Sequence, residues 1–312
     1  MPPKLSIITP SFNQGPFLER TIRSVLDQGY PNLEYVVVDG GSTDGSVEII
    51  KRYEDRLAWW VSEADEGQTE AINKGIELTT GKIVAYINSD DYYMPGAFEK
   101  AIAALESSGS SWVTGAAVDI NEDDPKHRRM WRPVAPEQCE GLIAGRHWWV
   151  LTPWSVPQPS SFWSRELFDR FGLFRRDMHY AFDAEFMVRL ALGGEQPERL
   201  PEETLSVRSV HPAQKSADMD LWRPELRRFI KVLRPELTRA ERLKLTLVQV
   251  INRLRAAKKR TMQAAGDALE LVPERIRPAI RHRDRGRVEG IGSPVGIESV
   301  EGGTDLESRR GS

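Results

Sequence analysis

The sequence predicts an α/β protein: a Rossmann-like, mainly parallel sheet flanked by helices, with a helical extension at the C-terminus. Two observations predict the sheet. In the first third of the chain, short apolar runs alternate four times with segments of helical spacing, joined by short connections, the pattern of strand-helix-strand units. Each apolar run ends in a polar or acidic cluster: Ser11 and Asn13, then Asp39, then Asp65, then Asp90 with Asp91. A third observation predicts the extension: from Pro235 onward, Leu243, Leu247, Val250, Ile251 and Leu254 share one helical face among many Lys and Arg.

Leu5–Thr9 (LSIIT) is the first strand, and Pro10–Gly15 (PSFNQG) is the polar loop after it. From Pro16 the spacing turns helical, with Phe17, Thr21, Ser24 or Val25, and Leu26 at spacings of three and four, until Gly29 and Pro31 end the helix. Leu33–Val38 has no charge after Glu34, which predicts a strand buried on both faces. It opens into Asp39–Ser46 (DGGSTDGS), where glycines permit close approach of a ligand and Ser42, Thr43 or Asp44 caps a helix from about Val47. Leu57–Ser62 is the third strand, and Gln68 starts a helix with Ala71, Ile72 and Ile76 on one side.

Gly81 turns the chain into Ile83–Ile87, the fourth strand, which stops at Asn88, Ser89, Asp90 and Asp91. Pro95 leads into a helix over Ala97–Glu106, and Ser111–Asp119 reads as a further strand. Asn121–Arg132 is charged throughout and reads as a solvated loop. His147, Trp148, Trp149 and Trp154 form an aromatic cluster that suits either a sugar face or a core. In Tyr180–Leu190, Phe182, Phe186 and Leu190 fall at helical spacing, with Asp183 and Glu185 off that stripe.

Composition removes several function classes. The net charge of −3 is uneven: residues 1–238 hold 27 Lys+Arg against 36 Asp+Glu, while residues 239–287 hold 14 against 5. An acidic body is a poor partner for nucleic acid, which needs a basic face to neutralise phosphates. The single cysteine, Cys139, excludes an internal disulfide framework and fits a reducing compartment. With no long apolar run and no signal peptide, the expected location is cytoplasmic. The basic amphipathic stretch fits either a helix packed on the body or peripheral contact with an anionic inner membrane face.

In a parallel sheet the four strand ends lie on one edge, and ligands of open α/β sheets bind in the crevice beyond it. Four polar clusters on one edge therefore predict one binding site. Asp39, at a strand terminus, suits hydrogen bonds from a ribose or a base. Asp90 and Asp91 suit a hard cation, although an Asn-Ser-Asp-Asp run is also ordinary capping chemistry. Neither the dinucleotide fingerprint nor the P-loop is present. His211, among Arg208, Gln214, Lys215 and Ser216, suits a diphosphate.

The stretches ITPSFNQGPFLERTIRSVLDQGYPNLEYVVVDGGSTDGS, EADEGQTEAINKG and INSDD closely resemble the family 2 glycosyltransferases, inverting enzymes of the GT-A fold that use nucleotide sugars. The resemblance runs from Leu5 to about Ala104, returns more weakly over Gln158–Ser216, where QPSSFW is similar to an acceptor-side segment, and is absent past residue 238. It implies that Pro10, Ser11 and Asn13 form the nucleotide pocket with Asp39 on the base, and that Asp65 lies near the ribose and donor sugar. Asn88, Ser89 and Asp90 occupy the family's DxD position, so the resemblance assigns Ser89 to the donor and a divalent cation, Mn²⁺ or Mg²⁺, to Asp90, with Asp91 and His211 as further ligands. It implies Asp183 as general base, with Glu185 the alternative. Two departures stand out: Asn88 replaces the first Asp of DxD, and Phe182 replaces a residue that is often Glu.

The expected organisation is a GT-A domain over residues 1–234, divided into a nucleotide-sugar half (1–110) and an acceptor half (111–234). A basic helical extension (235–285) and a disordered tail (286–312) follow. The expected reaction is inverting transfer from a nucleoside diphosphate sugar, a UDP-sugar first, to a hydroxyl of a glycan or lipid-linked glycan in cell-surface polysaccharide synthesis. Two rivals remain: a non-catalytic nucleotide-sugar-binding protein, and a sugar-phosphate nucleotidyltransferase, which the lack of a glycine-rich basic loop after Leu5–Thr9 disfavours.

Overall fold

A computed structural model describes residues 1–126, 128–133 and 156–215, together with residues 224, 225, 228, 229, 239 and 242. The aromatic cluster at 147–154, Cys139, Ser216, the basic face at 243–260 and the tail at 286–312 lie outside the described residues.

The first third alternates as its hydrophobic pattern requires: β1 (Leu5–Ser11), α1 (Gly15–Leu26), β2 (Leu33–Asp39), α2 (Ser46–Lys51), β3 (Trp59–Ser62), α3 (Gln68–Leu78) and β4 (Ile83–Tyr86). There follow β5 (Tyr92–Tyr93), α4 (Ala97–Ser108), β6 (Trp112–Asn121), β7 (Arg128–Trp131), β8 (Ser161–Ser164), α5 (Arg165–Phe171), α6 (Phe182–Leu192) and β9 (Glu198–Val210). The strands form one sheet in the order β3-β2-β1-β4-β8-β6-β9-β5, with β7 beside β6.

The two-residue period of the strands divides their side chains between two cores. Ile8, Val36, Val84 and Tyr86 face one core with α3, α5 and α6. Leu5, Ile7, Tyr35, Val37, Ile83 and Ala85 face the other with α1 and α4. A continuous apolar run is what a strand covered on both faces needs, and β1 is buried along its whole length. Helix α3 approaches β1 closely: a Cβ on Gly75 would lie 2.5 Å from Ile8 Cγ2, so only glycine fits there.

Beyond β4 the sheet is mixed. Strand β8 runs antiparallel to both β4 and β6, while β6 and β9 are parallel, with irregular register between Gly115 and Ala117. Apolar runs report burial and leave direction open, so the expected parallel order holds for β3-β2-β1-β4 and gives way where the chain returns along the sheet. The charged stretch read as a loop over Asn121–Arg132 contains β7, whose Met130 pairs with Val118. Strand β9 escaped the sequence reading because Pro201, Glu202 and Glu203 interrupt its alternation.

Buried polar groups on α3 fix the chain that leads into α6. Asn73, 1% exposed, accepts the Phe174 N–H at 3.1 Å and donates to the Phe174 carbonyl at 2.8 Å, and Thr69 donates to the Met178 carbonyl at 2.8 Å. These bonds satisfy backbone groups inside a core where an unpaired one costs about 1–3 kcal/mol. QPSSFW is buried here too: Gln158 donates to the Tyr86 carbonyl, and Trp163 packs among Phe168, Phe174 and Phe186.

Candidate active site

The register aligns the ends of the first three strands, pairing Ser11 with Asp39 and Asp39 with Ser62. Asp39 is fully buried, and its carboxylate takes four bonds: from the N–H groups of Gly41 (3.1 Å) and Ser42 (2.8 Å) and from the hydroxyls of Ser42 (2.6 Å) and Ser62 (2.7 Å). Four bonds use the acceptor capacity of a carboxylate. Asp39 thus shapes the loop after β2 and locks it to β3.

Asn13 joins that loop to the one after β1. Its backbone is left-handed (φ 50°), a conformation asparagine tolerates better than most residues. Its N–H donates to Ser42 Oγ at 2.7 Å, and its side-chain oxygen accepts the Thr43 N–H at 2.9 Å. Beside it Pro10 is buried, and Ser11, 4% exposed, has a hydroxyl with no hydrogen-bond partner among the described residues. Asp44 takes the capping role: its carboxylate accepts Gly15 N–H, Ser46 N–H and Ser46 Oγ, although Gly45 is the N-cap residue itself.

Asp65 sits before α3, accepting the Gly67 N–H at 2.8 Å. Gly40 lets the two loops meet, since a Cβ there would lie 3.1 Å from Asp65 Oδ2. Burial raises the Asp65 carboxyl above its usual range, Glu70 and Asp39 add to the effect, and the Gly67 N–H and Lys74 oppose it.

The four residues after β4 separate in role. Asn88 Oδ1 accepts Gln68 Nε2 at 2.6 Å, and Asn88 Nδ2 donates to Asp91 Oδ2 at 3.3 Å. Ser89 is buried, with its carbonyl accepting from Thr21 Oγ1 at 2.9 Å. Asp91, 2% exposed, accepts the Ser209 N–H at 3.0 Å, and its carbonyl takes a second bond from Thr21 Oγ1 at 2.6 Å. Burial, then the neighbouring Asp90, push its carboxyl well up, against Arg208 and the Ser209 N–H. Both Asp91 oxygens are engaged, so this residue anchors the loop to β9.

Asp90 keeps a different partner. Its Oδ2 lies 3.1 Å from His211 Nε2, just past the end of β9. The His211 ring, in a residue 7% exposed, stacks on Phe17 of α1 with ring centres 4.4 Å apart. The Asp90 carboxylate oxygen suits Mn²⁺ or Mg²⁺, and the imidazole nitrogen beside it suits the softer Mn²⁺ better than Mg²⁺, which takes oxygen ligands. Among the described residues no group of three or more His, Cys, Asp or Glu converges on a metal position. Protein groups alone would therefore leave such a cation open to phosphate oxygens and water, the usual arrangement for Mg²⁺ with a phosphate substrate.

Of the residues read as a diphosphate set around His211, Arg208 is committed elsewhere, in a two-bond pair with Asp119 at 2.8 and 2.9 Å. Lys215 is directed to the site: its Nζ donates to Gln68 Oε1 at 2.9 Å and lies 5.2 Å from the Tyr180 ring centre. Lys215, Gln68, Asn88 and Asp91 thus form a chain of polar contacts. Gln68 and Lys215 carried only a weak sequence signal: a helix start and a charge near a histidine.

On the acceptor side, α6 separates the two candidate bases. Glu185 is 7% exposed and spent on Arg189, with bonds of 2.8 and 3.2 Å, while Arg189 also holds the carbonyls of Phe171, Gly172 and Leu173. Asp183 is half-buried, and its Oδ1 accepts the Ala184 N–H at 2.7 Å. Burial pushes its carboxyl up to about 6, Glu225 adds to this, and backbone N–H bonds and Lys215 oppose it. Phe182 fills the core against Phe174, with ring centres 5.5 Å apart.

Comparison with known proteins bears on the same residues. The sequence model of the family described as "Glycosyl transferase family 2" matches residues 6–178. An uncharacterised glycosyltransferase of Mycobacterium tuberculosis is 32% identical over 195 residues, 61% of this chain and 70% of the relative. The putative teichuronic acid biosynthesis glycosyltransferase TuaG of Bacillus subtilis is 34% identical over 135 residues, 42% of this chain and 54% of the relative. Among solved structures, S. aureus TarS 1-349 in complex with UDP-GlcNAc superposes with a TM-score of 0.60 at 19% identity, covering 89% of this chain and 86% of that one. The mannosyltransferase PcManGT of Pyrobaculum calidifontis, in complex with GDP-Man and Mn²⁺, gives 0.56 at 22% identity, covering 87% and 81%. These structural likenesses are of fold. With the family match spanning more than half its length, the chain belongs to glycosyl transferase family 2, on a GT-A fold.

Proposed function

We propose that the protein transfers a sugar, with inversion, from a nucleoside diphosphate donor to a hydroxyl of a glycan or lipid-linked glycan in cell-surface polysaccharide synthesis. The observation that carries this reading is the contrast on α6: Asp183 has no side-chain partner among the described residues and a carboxyl pushed up to about 6, while Glu185 is spent on Arg189. A base poised near the working pH is what deprotonation of an acceptor hydroxyl requires. TuaG's description, teichuronic acid biosynthesis, supports a polysaccharide product, and the UDP-GlcNAc complex of TarS supports a UDP-sugar donor, while PcManGT is in complex with GDP-Man.

In this mechanism Ser11, Asn13 and the loop shaped by Asp39 receive the nucleoside, and the unpaired Ser11 hydroxyl is available to it. Asp65 and Ser89 border the donor sugar. Asp90 and His211 would hold the divalent cation, with Asp91 fixing the loop behind them. Bound there, the cation supplies charge to offset the leaving diphosphate. Asp183 takes the acceptor proton on Oδ2 as the oxygen attacks the anomeric carbon from the face opposite the diphosphate. Residues 1–234 are assigned to this catalytic domain, with halves at 1–110 and 111–234.

Both departures from the family pattern have physical accounts that do not require loss of catalysis. Asn88 bridges Gln68 and Asp91, and Phe182 fills the core. Among the described residues no helix is long and apolar enough to cross a membrane. Peripheral contact through residues 235–285 would bring the site to a lipid-linked acceptor. The test is diphosphate release and sugar transfer across a panel of nucleotide sugars with Mn²⁺ or Mg²⁺. Turnover lost in Asp90→Ala and Asp183→Ala supports the reading; tight donor binding without turnover on any acceptor, unaffected by Asp183→Ala, would replace it with a nucleotide-sugar sensor.

A further inference from the structure

We propose that Glu225, outside the family-matched residues 6–178, is the positioning residue of the acceptor base: its carboxylate fixes the backbone from which α6 starts, and its charge faces Asp183. This rests on the assignment of Asp183 as base. Glu225 Oε1 accepts the His179 N–H, and Oε2 accepts those of Tyr180 (2.7 Å) and Ala181 (2.9 Å). Three successive N–H groups directed at one carboxylate form an anion-holding concavity. Ala181 is the N-cap residue of α6, and Glu225 holds its N–H together with those of the two residues before it, fixing the chain where the helix starts.

The residues around Glu225 are anchored on the same loop. Arg228 pairs with the Asp177 carboxylate, and Phe229, 4% exposed, enters the core that holds Phe182 and Phe186. From the other side, Asn73 and Thr69 hold the Phe174 and Met178 backbone. The segment 174–181 is thus gripped between α3 and the later chain, and Asp183 follows two positions on. Among the described residues, the charged and titratable groups that interact with Asp183 are Glu225, Lys215 and Tyr86: Glu225 is a like charge, Lys215 an opposite one that also interacts with Glu225, and Tyr86 is buried and neutral. An amide in place of Glu225 would keep an acceptor for the loop and remove the like charge.

The experiment uses the full chain and two variants, Glu225→Gln and Glu225→Ala. Amide exchange of residues 179–181 should accelerate in Glu225→Ala, and kcat should fall on the order of tenfold to a hundredfold, as misplacement of a reacting group does, with the donor KM unchanged. In Glu225→Gln the acidic midpoint of kcat should move to lower pH, and the Asp183 carboxyl, followed by carbon NMR without any substrate, should titrate lower by the same amount. An unchanged Asp183 titration in Glu225→Gln, or equal loss of UDP binding and kcat in Glu225→Ala, would overturn the proposal. The NMR titration needs no turnover. A lowered Asp183 midpoint in a protein that transfers no sugar would uphold the Glu225–Asp183 relation while removing the proposed reaction; an unchanged midpoint in an active enzyme would remove this inference alone.

Discussion

Asp90 Oδ2 and His211 Nε2 lie 3.1 Å apart although 121 positions separate them in the chain. The contact depends on β9 running along the sheet until Val210 and on Phe17 stacking on the imidazole. Removing either group should weaken the proposed cation site in proportion to what it contributes. Asp90→Ala is expected to abolish Mn²⁺ binding in the presence of UDP and to lower kcat about 10²–10³-fold, the usual loss when a stabiliser of developing charge is removed. Phe17→Ala leaves both proposed ligands in place and should weaken Mn²⁺ by about tenfold, as loss of an orienting neighbour does. Calorimetric titration of Mn²⁺ with UDP present measures both, and Mn²⁺ affinity unchanged in Asp90→Ala would remove this residue from the site.

The acidic residues of α6 should respond to substitution in opposite ways. Asp183→Ala should lower kcat by about 10²–10⁴-fold with little change in stability, the range for loss of a positioned base. Glu185→Ala strands Arg189 within the packing of α5 and α6, and breaking a buried pair costs about 3–5 kcal/mol. Since Arg189 is a quarter exposed, a smaller loss is expected here. Its signature is a lower Tm, with kcat per folded molecule preserved. A Glu185 variant that folds normally but has no turnover would exchange the two assignments.

The pH dependence follows from Asp183. A base must be ionised to act, so kcat should rise with pH through about 6 and level off above it, where the carboxylate is free to accept. The effect on stability has the opposite sense. A carboxyl raised above its unfolded value of about 3.9 holds its proton more tightly in the fold, so ionisation costs stability once the pH exceeds the unfolded value, and the cost is complete above the folded one. Asp183→Asn should therefore be inactive yet more stable than the parent near pH 7.5, by about 1 kcal/mol after discounting for partial exposure. The gain should vanish at pH 4 and below, and thermal denaturation at the two pH values checks it.

Much of this was legible in the sequence, and the exceptions have a common cause. Strands β1, β2 and β4 are apolar runs because both faces are covered, and the polar residues at their ends are visible because they interrupt those runs. The division of roles within each cluster depends on partners far along the chain. Asp39 reads as a ligand until Ser42 and Ser62 fill its carboxylate, and Asp91 reads as a twin of Asp90 until the Ser209 N–H claims it. Glu225 had no motif at all, since its function is to receive backbone N–H groups, which every residue but proline carries.

Asn88 gives a final test of how the loop after β4 works. Restoring an acid there, Asn88→Asp, would add one more carboxylate beside the proposed cation site. The neighbouring geometry argues otherwise: Asn88 Nδ2 donates to Asp91, whose carboxyl is already pushed up by burial and by Asp90. The substitution would replace a donor with a third negative charge and leave only the Gln68 amide as partner. Stability near pH 7.5 should fall by about 1–3 kcal/mol, as when a buried group loses its donor. The loss should shrink as the pH falls through the raised value of Asp91, because its protonation removes the repulsion. Mn²⁺ affinity with UDP present should stay level or weaken. A gain in affinity at unchanged Tm would mean that Asn88 is free to turn from Asp91 toward the cation, and that the asparagine tunes metal strength rather than supporting the loop.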